Sequence, residues 1–131
     1  MQMKKSEVLD RWTILLMKSR LESNAATELK IFNKEVQFIV TEAAEKGKVF
    51  EFLSSAVALM EANSRVWENE AALRKEFPKD KSAQGRKLTD KEKARRGDII
   101  REYNGQRVRA KQEIDRLFGE IPDIKVEHAS G

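Results

Sequence analysis

Cysteine is absent from all 131 residues. That removes disulfide staples, thiolate nucleophiles and cysteine-ligated zinc. Histidine is nearly as scarce: the single His128 sits close to the end of the sequence, away from every patterned segment, so histidine-based acid–base chemistry has no candidate. Two prolines and six glycines are too little punctuation for an all-β fold with many turns. SAQGRK lacks the glycines and the Lys-Ser/Thr ending of a phosphate-cradling loop. Ser54 and Ser55 have no histidine for triad chemistry. Carboxylates do not recur at metal-ligand spacing; EAAE (Glu42 to Glu45) stands alone beside a glycine stop, and neither metal nor cofactor is expected. The apolar stretch WTILLM is far too short to span a bilayer, and no small-residue cleavage site accompanies it. A soluble, cytoplasmic protein without a membrane span is the expectation.

What is abundant is Ala, Glu, Lys, Leu and Arg, the straight-chain helix formers. At 40% hydrophobic and 37% charged residues the chain is rich in charge but apolar enough to fold. Its length suits one domain with a real core. The net charge of +4 is uneven. Residues 1–73 carry ten Lys/Arg against eleven Asp/Glu, residues 74–116 fifteen against eight, and residues 117–131 one against three. The basic excess therefore lies in one loop and the helix after it, where it attracts phosphates or acidic partners unless it is simply a solvated face.

Apolar periodicity places a helix from Ser6 to about Leu21 on Leu9, Trp12, Leu15 and Leu16. A second stripe runs Ala25, Leu29, Phe32, Val36, Ile39, Ala43, roughly one residue out of phase with the first. Between them, in ESNAA, Ser23 or Asn24 is a candidate N-cap. Either one long helix absorbs the drift by supercoiling or the chain breaks there, and the phase slip favours a break or bend. EKGK stops the segment, with Gly47 as C-cap. A further helix runs from about Val49 to Phe77 and ends at Pro78; PKDKSAQGRK is a basic loop. TDKE then supplies a capping box, Thr89 with Glu92, for a last helix ending at Gly119. Its stripe is Ile100, Tyr103, Ala110, Ile114 and Leu117, with Arg107 among them. We read an all-α fold, an antiparallel bundle of three long helices that becomes four if the first breaks near Ser23. Residues 1–121 form the domain and 122–131 a loose tail.

The third segment carries an anomaly. Steps of four and three from Phe52 give Ala56, Leu59, Asn63, Val66, Glu70, Leu73 and Phe77, so Asn63 and Glu70 stand where Leu is expected. If this helix and the last pack antiparallel, Asn63 lies near Tyr103 and Asn104, with Arg107 a turn away, and Glu70 lies near Arg96. Buried polar groups without partners cost several kcal/mol, so these should be paired. One reading is a sealed network fixing helix register, as a core Asn does in a coiled coil. The other is a pocket whose polar walls take an anionic ligand. A sealed or nearly sealed line is the expectation. Trp12 and Trp67, both on apolar stripes, read as core packing.

EVLDRWTILLMKSRL, NSRVWENEAALR and NGQRVRAKQEIDRLFG together resemble a family of small, uncharacterised bacterial all-helical proteins with the patterns ELxDKLTILxIKLxxI, NxxLWxxExxIR and NxxRxxxKxxIxxLxG. The three blocks stand in the family's order and cover about a third of the chain. The resemblance marks Asp10, Arg11, Thr13, Lys18, Asn63, Trp67, Glu70, Arg74, Asn104, Arg107 and Lys111. It implies an association with polysaccharide and glycosyltransferase gene clusters. Between Phe77 and Thr89 the sequence departs from the pattern: relatives carry an acidic, aromatic stretch, and this loop is basic.

Three functions follow as expectations. The first is a non-catalytic binding or accessory module, linked to polysaccharide assembly through the resemblance and forming a homodimer, whose polar network (Asn63, Glu70, Asn104, Arg107) takes a small anionic ligand or simply sets the helix register. The second is an enzyme acting on a phosphorylated or nucleotide-linked sugar, with Arg107, Lys111 and Arg11 on phosphate and Glu70 or Asp10 as acid/base. The third, nucleic-acid binding through residues 79–96, is disfavoured because no aromatic is interleaved with the basic residues.

Overall fold

A computed structural model describes residues 3–20, 24–74 and 87–122. Four helices follow in order: α1 (Lys5–Lys18), α2 (Ala25–Glu45), α3 (Val49–Arg74) and α4 (Asp90–Leu117). No strand occurs among the described residues. The all-α reading holds, and the first helical region does divide. α1 stops at Lys18, and Ser19 caps it with a backbone bond to the Leu15 carbonyl. Asn24 precedes α2 but is itself helical and makes no side-chain cap bond, so it does not play the N-cap role; Ser23 lies outside the described residues. Also outside are most of the basic loop, the expected end of the third helix at Phe77, and the tail beyond Pro122.

Local chemistry explains the remaining ends. After α2, Gly47 takes φ +68, a conformation open to glycine without Cβ strain. Its N–H bonds the Ala44 carbonyl and that of Lys48 the Ala43 carbonyl, which closes the helix in a Schellman motif. α4 ends the same way at Gly119, whose N–H and that of Glu120 reach Arg116 and Asp115. At the other end of α4 the capping box is complete: Glu92 N–H donates to the Thr89 hydroxyl and the Thr89 N–H to the Glu92 carboxylate.

Contacts give the directions. Lys5 meets Glu42 and Trp12 meets Asn33, so α1 and α2 are antiparallel. Phe118 stacks edge-on against Phe52 with centroids 6.1 Å apart while Arg96 reaches Asn69, so α4 returns antiparallel to α3. It is antiparallel to α1 as well, through Asp10–Arg107 and Lys4–Asp115, so α3, whose Asn63 meets Asp10, runs parallel to α1. α1 thus lies against all three other helices. Leu9, Phe52, Leu59 and Ile114 are completely or almost completely buried, with Phe32, Val36, Ile39 and Phe118 around them in one core. α4 joins that core only through its second half; Ile100 and Tyr103 are half-buried. No described helix is long and apolar enough to cross a membrane.

Candidate ligand cleft and polar seam

The seam between α1 and α4 is aligned by charge. α1 reads basic then acidic, through Lys4 and Lys5 to Glu7 and Asp10, while α4 reads Arg107, Lys111, Asp115 with Glu120 just beyond. Laid antiparallel, every level matches opposite signs: Asp10 with Arg107, Glu7 with Lys111 at 2.5 Å, Lys4 with Asp115 at 3.5 Å, Lys5 with Glu120 at 4.0 Å. Sliding α4 by one turn would break the Asp10–Arg107 pair and set one like-charged pair together, Glu7 with Asp115 or Lys4 with Lys111.

Asp10 is the centre of this seam and is 3% exposed. Arg107 grips it bidentately, Nε to Oδ1 at 2.9 Å and Nη2 to Oδ2 at 2.5 Å. Asn63 adds its Nδ2 to the same Oδ1 at 2.9 Å and shares that amide with the Thr13 hydroxyl at 2.8 Å. Thr13 donates its own proton to the Asp10 backbone carbonyl, so the hydroxyl is oriented to accept from Asn63. Burial pushes the Asp10 carboxyl upward, but the hydrogen bonds from Arg107 and Asn63 and the charges of Arg107 and Lys111 outweigh it and hold the group below the usual carboxylate range. The bond to Asp10, opposed by burial and helped by the charges of Asp10 and Glu7, raises Arg107 above its ordinary value. Asp10 is thus a buried, fixed anion holding three hydrogen bonds, a poor general acid or base.

The seam is not sealed. Beside it lies a cleft of about 390 Å³, lined by Ile14, Met17, Lys18, Asn63, Val66, Trp67, Glu70, Asn104 and Arg107. That volume falls within the range of small-molecule sites. Its cause is the short first helix: α1 ends at Lys18 while α3 continues, so the sector of α3 that faced α1 opens to solvent. This explains Glu70, which is exposed rather than core-facing. The expected Glu70–Arg96 pair does not form. Asn69, one residue earlier and 6% exposed, accepts from Arg96 Nη1 at 3.0 Å and donates to the Arg65 carbonyl.

The structure therefore brings together Asp10, Asn63 and Arg107 in contact, with Lys111 one turn along the seam, and sets Lys18, Glu70 and Asn104 around the adjoining cleft. Arg11 and Arg74 are exposed and lie outside it. Trp67 is a half-buried cleft wall, and Trp12, also half-buried, donates its indole N–H to Asn33 at 2.8 Å. Asn69 escaped the sequence reading, although Ala62, Val66, Asn69 and Leu73 form a second helical line with one polar member. Glu7 carried no sequence signal of its own.

What the cleft offers chemically is a short inventory. Among the described residues, Arg107 Nη1 and Asn63 Oδ1 take no hydrogen bond, although the rest of each side chain is held by Asp10 or Thr13. Lys18 and Glu70 add one charge of each sign, and Trp67 with Ile14, Met17 and Val66 adds apolar wall. No cluster of three metal-ligating side chains occurs among the described residues. No family model, curated protein or solved structure matches this chain. The family resemblance therefore stands on its three sequence blocks alone.

Proposed function

We propose that this chain is a non-catalytic binding module whose cleft takes a small, ring-bearing polar ligand with an anionic group. The carrying observation is that Arg107 and Asn63 are locked by Asp10 yet keep Nη1 and Oδ1 unbonded beside an open, tryptophan-walled cleft. Groups positioned before binding lose little entropy when they engage a ligand. A phosphate or carboxylate suits Arg107 and Lys18, hydroxyls suit Asn63, Asn104 and Glu70, and a sugar ring suits the face of Trp67. Sugar phosphates and acidic sugars combine these features, which also agrees with the polysaccharide association implied by the resemblance.

The test is thermal stabilisation by a panel of sugar phosphates and nucleotide sugars, followed by calorimetry. A ligand at 100 times its Kd stabilises by about 2.7 kcal/mol, a shift of several degrees. The shift should vanish in Lys18→Ala and Trp67→Ala while both variants keep the helical spectrum of the wild type. Absence of any shift across the panel at millimolar concentration rejects the proposal. An enzymatic reading rests on Glu70, since Asp10 is committed to Arg107; it requires turnover of such a compound that Glu70→Gln abolishes without loss of binding.

A further inference from the structure

The solvent face of α3 changes character half-way along. From Glu61 onward it is polar, with Arg65 and Glu68, as an outer helix face should be. Before Glu61 it carries Phe50, Leu53 and Val57 at 78%, 51% and 65% exposure. At about 100° per residue these three fall within a sector of about 60°, roughly a third of a turn from the core line Phe52, Ala56, Leu59. Alongside them α2 and α3 stand apart and leave a groove of about 180 Å³, lined almost wholly by apolar atoms from Trp12, Val36, Val40, Leu53, Val57 and Met60. An isolated exposed hydrophobic residue is ordinary; a contiguous patch running into an apolar groove marks an interaction surface.

We propose that this face pairs with the same face of a second copy, the two α3 helices crossing antiparallel about a twofold axis between Leu53 and Ser54. In that register the pattern is self-complementary. Phe50 of each copy meets Val57 of the other and fills the mouth of its groove, whose rim is Leu53 and Val57. The small Ser54 at the axis lets the backbones approach. Glu61, exposed and without an ion pair among the described residues, comes opposite Lys46 and Lys48 at the α2–α3 turn, which are also exposed and unpaired among them. A twofold contact demands this reciprocity. A parallel arrangement would set Glu61 against Glu61 and leave both lysines facing each other. The paired segment, Phe50 to Glu61, is about 18 Å long. Two helix widths across, it falls short of the roughly 800 Å² per partner of a tight complex, so the dimer is a micromolar one. The proposal is independent of the cleft, which lies on another sector of α3 and further along it, around Asn63, Val66, Trp67 and Glu70.

Sedimentation velocity from low micromolar to several hundred micromolar should show a monomer–dimer equilibrium. Val57→Glu and Phe50→Glu, both at exposed positions, should weaken it at least about tenfold with unchanged melting of the monomer. Glu61→Lys should weaken it as well, and adding Lys46→Glu and Lys48→Glu should restore it. Because the chain has no cysteine, Ser54→Cys is a clean reporter and should form a disulfide-linked dimer on oxidation; Glu68→Cys, far from the axis, should not. A monomer at every concentration overturns the proposal, as does undiminished dimerisation of Val57→Glu. Failure of the charge exchange to restore pairing overturns the register, as does cross-linking of the Glu68→Cys variant in place of Ser54→Cys.

Discussion

Asp10→Asn offers the sharpest test of the seam. The substitution keeps the shape of the side chain but removes its charge, and its amide nitrogen cannot accept from Arg107. The carboxylate takes three hydrogen bonds, two from a guanidinium whose side chain is 29% exposed. Removing one member of a fully buried pair costs about 3–5 kcal/mol. Partial access of Arg107 to water reduces that, and about 3 kcal/mol is expected, or roughly 10 °C in Tm for a chain of this size. Urea unfolding followed by far-ultraviolet circular dichroism measures it. The pH dependence adds a second check with a definite sign. Because Asp10 is held below its unfolded value, its contribution is complete above the unfolded value of about 3.9 and disappears as pH falls through the lower folded value. The gap between wild type and Asp10→Asn should therefore be constant near neutrality and close in acid. Adding Arg107→Met to Asp10→Asn should recover part of the loss, since no orphaned guanidinium remains. A loss below about 1 kcal/mol, or a gap that persists in strong acid, would refute the claim that Asp10 organises the seam.

Further outcomes follow from single contacts. Asn69→Ala strips Arg96 of its acceptor, and since Arg96 Nε is already buried and unbonded it should cost about 1–2 kcal/mol by denaturant titration; Asn69→Leu with Arg96→Met should recover most of it. Thr89→Ala opens the capping box at the start of α4 and should cost about 1 kcal/mol, with hydrogen exchange accelerating first in that turn. Gly47→Ala meets no neighbouring atom, so its loss of about 1 kcal/mol should come from φ strain alone.

Periodicity reveals what lies on one helix, and here it locates the stripes of α2 and α3, the capping box and the division of the first helical region. It does not reveal which helix lies opposite. Asn63 is legible as a misfit, but antiparallel packing of the last two helices around their loop points to partners on α4, and its bonds go to Asp10 and Thr13 on α1. Asp10 itself comes forward only through the family resemblance, because an acidic residue on a short amphipathic helix looks like ordinary surface. Glu70 misleads for a different reason. A stripe stays buried only as long as the helix covering it, and nothing in the sequence of α3 encodes the end of α1 at Lys18. Once cover from α1 ends, the remaining buried line of α3 is the one facing α4, which selects Asn69 over Glu70.

The charged seam also sets a timetable. Its partners are distant in the chain, 97 residues for Asp10 and Arg107 and 104 for Glu7 and Lys111. On a ribosome, synthesis of that interval takes on the order of 5–20 s. Throughout it the two carboxylates of α1, Glu7 and Asp10, are without their α4 partners, which are not yet made. The hairpins α1–α2 and α3–α4 are each free to form as their own second helix emerges, but neither can seat Asp10. The seam can close only once α4 has reached α1, so a truncation before Arg107 leaves Asp10 without its cation.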